Sequence, residues 1–454
     1  MNRCNVTAHQ RVSSNCQIPS SARPTTAASM IAFLYTVICA LASAQPQHRT
    51  APTFEINLDK PPEQRFSVIF DPAAGFNETV WEFYNMYFAN NERLKEALYH
   101  LVATRGEEVP EMQGEIRGLA MGSKLPLPFV QGIQMLYELQ TVMVPIVNVS
   151  RLPKRLVSTL NYTFERETAP PEWAALSQIP WRGPGCTGII ATNTLDGTVS
   201  HARNLDFMPH RIMSRLVYTG IFTRNGTELY RSQMVAGYVQ AITGMRRGPN
   251  GFGLERNTRY TDHPGGFEQA LSNLKAGRLL NGWQLRQTLE ACATYECALD
   301  RLSTVPYAST EYTILSGVRK GAILSRSPDY VAYKQTLGIP ADTQPASYII
   351  MTNFDFFYHD IREWFDPTGG EMFRPRRLVA QGLLNATLAS GRALTPKVLF
   401  DVINAEGVLA GGNDSEGGGD GTIFQALINV ELDLWNVSIP VLQHRRRDDA
   451  RAAS

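Results

Sequence analysis

The chain after residue 45 begins with an alternating pattern and continues with helical spacing. Apolar and polar residues alternate over 54–58, which is typical of a strand, and the prolines that follow favour a sheet edge. Apolar residues then recur at helical spacing over 77–103 and 111–139, with prolines dividing the second run. Residues 45–139 are therefore predicted to form a mainly helical region.

The pattern changes from helices to strands after residue 185. Two short apolar segments, 187–192 and 198–204, flank the turn dipeptide Asp196-Gly197 and predict a β-hairpin. Further strands are predicted at 216–224 and 227–235, which flank Asn225-Gly226, and at 239–243, 311–316, 322–326, 347–354 and 422–435. Helices are predicted at 267–276, 283–302, 377–389 and 396–405. Hairpins followed by paired helices indicate an α+β fold in which helices cover sheets, and not a βαβ repeat.

Residues 140–185 differ from both neighbouring regions. They are rich in proline, show little periodicity and end immediately before a cysteine, Cys186. Loops of this length are uncommon unless they are functional or mobile. We predict either an exposed linker that carries a processing site or a covering flap that is never cut.

The first 44 residues have the composition of a leader and signal peptide. The apolar run 30–41 has the length of a signal-peptide core, and Ala42-Ser43-Ala44 resembles a cleavage site. This run is too short to anchor the chain in a bilayer, and no later run approaches ~18 apolar residues. The polar segment before it is long for a signal peptide, so Met30 is an alternative start. The sequence predicts a lumenal or secreted protein.

Composition argues against several classes of ligand. The 454 residues include 43 basic and 42 acidic side chains, for a net charge of +1, so no strong field would attract nucleic acid. The glycine-rich segment 410–421 lacks the Lys-Ser/Thr of a phosphate-binding loop, and no cluster has the spacing of metal ligands. We expect no nucleic acid, cofactor or metal.

Sequons for N-linked glycans are frequent after the leader, which supports a secretory-pathway glycoprotein. They lie at Asn77, Asn148, Asn161, Asn225, Asn385, Asn413 and Asn436.

Three cysteines remain after the leader: Cys186, Cys292 and Cys297. Cys292 and Cys297 can form a disulfide if the helix around them begins or breaks between them, and can equally be two separate core thiols. In either case Cys186 is left over, and an extra thiol in a secreted chain is a candidate reactive group.

Cys186 lies at the start of the first predicted hairpin, with Arg203 and Asp206 on the returning strand. Cleavage of the bond before Cys186 would give one residue both a thiol nucleophile and an α-amine base. Their ordinary pKa values, about 8.5 and about 8, are well matched for proton exchange. Without further context, a cysteine at a strand end is more often a small buried apolar residue.

Several separated segments resemble the family of acid ceramidases and N-acylethanolamine-hydrolysing acid amidases, which are N-terminal nucleophile hydrolases. Together they extend over nearly all of the chain after the leader and occur in the family's order. The segments are 56–62, 114–120, 137–139, Cys186-Thr187 with 201–206, 254–257, 352–355 and Arg376-Arg377.

This resemblance implies an αββα sandwich with a helical N-terminal α chain. It also implies cleavage of the Gly185–Cys186 bond into an α piece, about 45–185, and a β piece, 186–454, that stay associated. Cys186 would be the nucleophile for both self-cleavage and substrate. Arg203 and Asp206 would hold and tune its thiol and amine. The other implied positions are Asn353 as oxyanion donor, a backbone N–H near Glu255 as its partner, and Arg376 as support for that network.

The resemblance further implies a lysosomal or secreted hydrolase of lipid amides, either N-acylethanolamines or ceramides. The apolar helices of the α piece are candidates to line an acyl channel or to contact a membrane peripherally. Two alternatives stay open: a related hydrolase of non-lipid amides, such as penicillins or bile-salt conjugates, and a non-catalytic secreted lipid-binding glycoprotein.

The chain also departs from the family pattern. Gly188 stands where the family usually has Ser, and Ala202 where it has Gly. The spacing from Cys186 to Arg203 is one residue longer, and the 140–185 insertion is longer than in the animal enzymes. These departures leave the reaction class unchanged but bear on substrate identity.

Overall fold

The computed structural model describes residues 47–106, 109–140, 185–207, 209–260, 267–340, 345–358, 375–411 and 421–442. The chain divides into two units, Met1–Gln45 and Pro46–Ser454, and every described residue belongs to the second. The predicted leader and nearly all of the predicted 140–185 linker therefore lie outside the described residues.

Helices occur in two groups, one within residues 62–140 and one among the strands after residue 185. They are α1 Pro62–Arg65, α2 Phe76–Tyr84, α3 Glu92–Thr104, α4 Pro110–Ser123, α5 Leu127–Gln140, α6 His210–Met213, α7 Phe267–Lys275, α8 Asn281–Ala291, α9 Tyr295–Thr304, α10 Arg376–Ala389 and α11 Pro396–Ile403. Short 3-10 helices lie at Ser67–Phe70, Pro72–Ala74 and Phe356–Tyr358, and a π-helical turn at Asn85–Ala89 follows α2.

The strands form two sheets. They are β1 Gln47–Thr50, β2 Thr53–Asn57, β3 Gly185–Thr192, β4 Val199–Phe207, β5 Val217–Arg224, β6 Thr227–Val235, β7 Thr243–Arg246, β8 Phe252–Thr258, β9 Glu311–Gly317, β10 Lys320–Arg326, β11 Val331–Thr336, β12 Tyr348–Met351, β13 Gly421–Asn429 and β14 Leu434–Val441. One sheet has six strands in the order β1-β14-β13-β4-β3-β12, and the other has eight in the order β11-β10-β9-β8-β7-β6-β5-β2.

Strand β3 shows how the layers are built. Its successive side chains point to opposite faces of the six-stranded sheet. Ile189 and Ala191 pack with Leu384 of α10 and other residues of the helical layer. Ile190, between them, packs with Ile314 of the eight-stranded sheet. The two sheets therefore lie face to face, with α10 and α11 outside the first.

Helices α8 and α9 cover the outer face of the eight-stranded sheet. A Cβ atom at Gly244 would lie 2.5 Å from Leu289 of α8, and one at Gly317 would lie 2.7 Å from Tyr295 of α9. Glycine at these two positions permits the close approach of helix and sheet. The order of layers is helix, sheet, sheet, helix, so the predicted α+β, αββα class is confirmed.

The two predicted hairpins are present. The first joins β3 and β4, with Gly197 at φ +76° in its turn. The second joins β5 and β6 through Asn225 and Gly226, which have φ of 51° and 70°. Positive φ at both central residues is the geometry that makes Asn-Gly a strong hairpin signal.

The helical region before the strands is also present, with more breaks than predicted. The run predicted at 77–103 divides at Asn91, whose side chain caps α3 by accepting from Leu94 N at 3.1 Å. The run predicted at 111–139 divides between α4 and α5, on either side of Pro126, as its prolines predicted. The predicted edge strand is β2, which pairs in parallel with β5 at the margin of its sheet.

Several predicted boundaries are wrong. Only Thr243 of the strand predicted at 239–243 is extended, because Gly237 at φ +93° holds a turn before it. The strand predicted at 422–435 is two, β13 and β14, because Asp433 adopts φ 51° in a turn that lacks Gly and Pro. The helix predicted at 283–302 is two, α8 and α9, because Cys292 is extended. Strands β1, β8 and β11 were not predicted.

Cys292 and Cys297 form a disulfide in the structure, across the junction of α8 and α9. This is the first of the two alternatives that the sequence left open. Among the described residues, Cys186 is the free cysteine, and it is buried.

The described sequons lie at the surface to different degrees. Asn225, Asn385 and Asn436 are exposed, and Asn77 is partly buried. Asn148, Asn161 and Asn413 lie outside the described residues. Glycosylation itself stays a prediction.

In the part of the chain that the structure describes, none of the helices has the length and apolar character needed to cross a bilayer.

Candidate active site

Cys186 is the second residue of β3 and is fully buried. In the antiparallel register with β4, Cys186 lies opposite Leu205, and Gly185 lies opposite Asp206. Arg203, also on β4, lies opposite Gly188. The hairpin thus places four of the predicted residues within a few positions of one another, as its turn and alternation require.

The main chain of Cys186 is held on both sides by side chains from distant segments. Its N–H donates to Asn353 Oδ1 at 2.9 Å, and its carbonyl oxygen accepts from Arg376 NH1 at 2.7 Å. Arg376 also donates to Asn353 Oδ1 at 2.7 Å and to Asp206 Oδ2 at 3.0 Å. Arg376 therefore joins three of the predicted site residues into one buried network.

Asn353 has a more specific position than the sequence suggested. Its amide nitrogen donates to Thr258 O at 2.8 Å, so its oxygen faces the nitrogen of Cys186. In this arrangement Asn353 is an acceptor for the group that would become the α-amine after cleavage. Its predicted use as an oxyanion donor would require the Nδ2 group to exchange partners.

Asp206 is not paired with Arg203, although the two residues are three apart in sequence. One carboxylate oxygen accepts from Arg376, and the other accepts from Thr422 Oγ1 at 2.6 Å. Both Asp206 and Arg203 are buried.

The sulfur of Cys186 lies on the opposite side of the residue, between two hydrogen-bond donors. Arg203 NH2 and Tyr137 OH are each 3.6 Å from Sγ. The same two groups also donate to the carbonyl oxygen of Arg256, at 3.0 and 3.2 Å. Their hydrogen bonds to this carbonyl oxygen on β8 hold both side chains beside the sulfur.

Tyr137 was missed as a site residue by sequence reasoning. It lies on α5, 49 residues before Cys186. A single tyrosine on an amphipathic helix carries no motif, and the family-like segment 137–139 was its one signal. The ring packs under the guanidinium of Arg256, with the Arg256 carbon 4.0 Å from the ring centre.

Burial raises the pKa of the Cys186 thiol, and the Arg203 guanidinium opposes this effect. The nearby Asp206 and Glu255 carboxylates raise the thiol pKa further. The thiol is therefore protonated in the intact chain. Desolvation is the largest of these effects, and the Arg203 guanidinium is the next largest.

Glu255 is buried near the site. Its side chain forms no hydrogen bond with the thiol or the main chain of Cys186. Its Oε2 lies 2.9 Å from His201 Nε2, and His201 Nδ1 lies 3.1 Å from Ser316 Oγ. The adjacent backbone N–H of Arg256 donates to Ile242 O at 3.0 Å. The predicted oxyanion partner near Glu255 is thus engaged within the sheet.

The family departure at Gly188 has a steric reason. A Cβ atom there would lie 2.3 Å from Glu255 Oε1 and 2.4 Å from Ile314 Cδ1. A serine would therefore require Glu255 to move.

An apolar pocket of about 790 Å³, including its open mouth, begins beside Cys186. It lies between helices α2, α4 and α5 on one side and residues of strands β4, β6 and β13 on the other. Tyr137, which contacts Sγ, and Leu205, which lies opposite Cys186, are both in its wall. The other lining residues are Val80, Phe83, Leu119, Ser123, Leu125, Phe129, Val130, Ile133, Leu136, Phe207, Met213, Leu216, Val235, Ala236, Gly237, Tyr238, Ile242 and Ile423.

Among the described residues, no group of three or more His, Cys, Asp or Glu side chains could hold a metal ion.

Comparison with known proteins gives a consistent set of relatives. No family model matches the chain. An N-acylethanolamine-hydrolysing acid amidase of Caenorhabditis elegans is 27% identical over 336 residues, which cover 72% of this chain and 79% of the relative. Human acid ceramidase is 24% identical over 375 residues, which cover 80% of this chain and 82% of the relative.

Among solved structures, the C. elegans N-acylethanolamine-hydrolysing acid amidase ortholog aligns with a TM-score of 0.42 and 25% identity. The alignment covers 54% of this chain and 93% of that one. The sequence relatives extend over most of the chain and carry the two family names that its motifs resemble. The chain is therefore similar over most of its length to N-acylethanolamine-hydrolysing acid amidases and acid ceramidases.

Proposed function

We propose that this protein is an amidase that hydrolyses lipid amides, N-acylethanolamines or ceramides, to a free fatty acid and an amine. The observation that carries the proposal is the position of the Cys186 sulfur beside a pocket lined almost entirely by apolar side chains. A pocket of this kind can bury an acyl tail while the amide carbonyl stays at the thiol. The named relatives support the same substrate class.

The first step of the proposal is cleavage of the chain at the Gly185–Cys186 bond. The sulfur attacks the carbonyl carbon of Gly185, the C–N bond breaks, and the nitrogen leaves as the protonated α-amine of Cys186. Water then hydrolyses the thioester, which frees the thiol and leaves a carboxylate on Gly185. Asn353 accepts the N–H of Cys186, and Arg376 holds its carbonyl, so both help to fix the residue through this change.

A buried ion pair between the two resulting pieces would keep them associated. Arg286 of the β piece donates to Glu115 Oε1 of the α piece at 2.7 Å, and both side chains are buried. Arg65 donates to the same oxygen at 2.9 Å. Separation would expose these charges and the apolar helices around them, which is unfavourable.

In the proposed hydrolysis, the α-amine takes the proton of the thiol, and the sulfur attacks the amide carbonyl of the substrate. The amine then gives the proton to the departing nitrogen, and an acyl thioester remains on Cys186. Water, with its proton taken by the same amine, releases the fatty acid. An amide needs such a relay because its leaving group must be protonated.

We propose a lysosomal or secreted location, in line with the leader and the sequons. Peripheral contact with a membrane is proposed through exposed apolar side chains of the α piece. The most exposed of these are Met121 and Met86, at 74% and 46%.

The test begins with intact mass measurement after incubation of the purified full chain at acidic pH. A fragment whose N-terminus is Cys186 should appear, and Cys186→Ala should remain uncut. The processed protein is then assayed on amides of increasing acyl length, and kcat/KM should rise as the chain fills the pocket. Absence of the fragment, with the same bands for Cys186→Ala, would overturn the cleavage. Equal rates for lipid and non-lipid amides would overturn the substrate class.

A further inference from the structure

The hydroxyl group of Tyr137 lies against the reacting sulfur, although it comes from the other proposed piece of the chain. Its distance to Cys186 Sγ is 3.6 Å, the same as that of Arg203 NH2. Tyr137 is on α5, which ends at Gln140, before the proposed cleavage site. The sulfur therefore has one polar contact from each proposed piece.

The position of Tyr137 is fixed by contacts on two sides. Its ring stacks on the Arg256 guanidinium at 4.0 Å, and its hydroxyl donates to the Arg256 carbonyl at 3.2 Å. The same guanidinium donates to Glu138, the next residue on α5, at 2.9 Å. Tyr137 and Arg256 are buried. The helix is thus attached to β8 at the point where the hydroxyl meets the sulfur.

We infer that Tyr137 is a catalytic residue that donates a hydrogen bond to the Cys186 sulfur when the thiol loses its proton. The inference rests on the proposed nucleophilic role of Cys186. The thiol proton passes to the α-amine, and Tyr137 keeps its own proton while its O–H turns from the Arg256 carbonyl to the thiolate. Hydrogen bonds to an ionised acceptor are stronger than those to a neutral one.

The surroundings suit this function. The thiolate is disfavoured by burial, so donors at the sulfur have a large effect on its stability. Burial also raises the pKa of Tyr137 well above its ordinary value, which keeps the phenol neutral and able to donate. Arg203 and Tyr137 together supply two donors, one charged and one neutral.

A second consequence concerns the α piece. Because Tyr137 also forms part of the wall of the apolar pocket, the same side chain contacts both the reacting sulfur and the space for the acyl tail. The α piece would then complete the active site as well as cover it.

The experiment measures the rate of Cys186 alkylation by iodoacetamide as a function of pH, in the full chain before and after acidic incubation. The variant is Tyr137→Phe, which keeps the ring on Arg256 and removes the hydroxyl. The control is Tyr307→Phe, a buried tyrosine whose hydroxyl lies 3.1 Å from Thr313 Oγ1, away from the pocket.

We expect Tyr137→Phe to raise the apparent thiol pKa by about one unit, as loss of one hydrogen bond to a charged group would do. Below that pKa the alkylation rate should fall about three- to tenfold, because less thiolate is present. The fall is not larger because a more basic thiolate is also more nucleophilic. The kcat on a lipid amide should fall while KM changes little. Tyr307→Phe should match the wild type.

A second variant separates this role from a structural one. Tyr137→3-fluorotyrosine retains the shape and is a stronger donor, so it should shift the thiol pKa in the opposite direction. Unchanged alkylation profiles in both variants would overturn the inference. Because alkylation requires no substrate, the result stands apart from the proposed function: a wild type that alkylates normally but hydrolyses no lipid amide would refute the function alone.

Discussion

Two buried arginines near Cys186, Arg376 and Arg256, have different charges around them. Arg376, on the main-chain side, pairs with the carboxylate of Asp206 at 3.0 Å. Arg256, on the sulfur side, lies between two carboxylates, with Glu138 at 2.9 Å and Glu311 at 2.6 Å. All three members of the second cluster are fully buried.

This difference separates a fixed part of the site from a part that responds to pH. One carboxylate balances the charge of Arg376. Two carboxylates around Arg256 would leave a surplus negative charge in a dry interior, which is costly. Burial raises the pKa of Glu311 to about 7, with the Glu138 carboxylate adding to the effect against the opposing attraction of Arg256. The second cluster therefore takes up a proton near neutral pH.

The largest effect is expected from Arg376→Met. The substitution removes hydrogen bonds to Cys186, Asn353 and Asp206, and the buried Asp206 carboxylate loses its guanidinium. Loss of one partner of a buried ion pair costs about 3–5 kcal/mol. The free energy of unfolding, measured by urea titration at neutral pH, should fall by that amount, and cleavage before Cys186 should be lost.

The neighbouring Arg377 is the matched control. It is also buried and packs 4.4 Å from the Phe356 ring, away from Cys186. Burial lowers the pKa of Arg377 to about 10, which means that its surroundings disfavour the charge. Arg377→Met should therefore cost no more than about 2 kcal/mol and leave cleavage intact. Equal losses in the two variants would contradict the special position of Arg376.

The next effect is the pH dependence of Glu311. Because its folded pKa lies above the ordinary 4.5, the folded state holds a proton that the unfolded state releases between pH 4.5 and about 7. Stability from this group is thus complete below pH 4.5 and is lost as the pH rises through 7. The loss amounts to about 3 kcal/mol.

Glu311→Gln should remove this dependence, because glutamine has no proton to release. The comparison is the difference in unfolding free energy between wild type and variant, measured at pH 5 and at pH 8. The wild type should lose about 3 kcal/mol relative to the variant between these values. Glu296→Gln, at the exposed Lys320 pair, serves as the control and should show a much smaller change. If the difference in unfolding free energy between wild type and Glu311→Gln is the same at pH 5 and pH 8, Arg256 compensates the charges of both carboxylates.

The contrast between the two clusters also explains what the sequence could predict. The hairpins were predictable because Asp-Gly and Asn-Gly fix the turn, and the turn fixes the register that places Arg203 and Asp206 near Cys186. Strand β8 was missed because it carries Glu255, Arg256 and Asn257, polar residues that usually indicate a surface or a loop. All of β8 is buried, since other elements supply the partners of these side chains.

The other site residues could not be predicted from local patterns, because they lie far from Cys186 along the chain. Asn353 and Arg376 were identified by resemblance to a family and not by local pattern, because they meet Cys186 only after the sheets and α10 assemble. Tyr137 lay in a family-like segment but had no assigned role, and its position depends on the stacking of α5 against β8. Polar residues that are satisfied only by distant partners violate local rules, and such violations concentrate at functional sites.

The smallest expected effect comes from Gly188→Ala, which perturbs the sulfur side without changing a charge. The new Cβ would meet the ends of the Glu255 and Ile314 side chains at 2.3 and 2.4 Å, so these side chains must shift. Glu255 precedes Arg256 on β8, whose carbonyl oxygen accepts from Arg203. Overpacking of this kind costs about 1–3 kcal/mol.

Gly382→Ala, in α10 with no atom within 4 Å of its Cβ, is the control and should instead stabilise the protein by up to about 1 kcal/mol. If Gly188→Ala lowers the unfolding free energy and slows Cys186 alkylation while Gly382→Ala does neither, the donors at the sulfur depend on the exact position of β8. If both variants alkylate like the wild type, the sulfur side is more tolerant than the main-chain side, and the pH response of the Arg256 cluster would not reach the Cys186 sulfur.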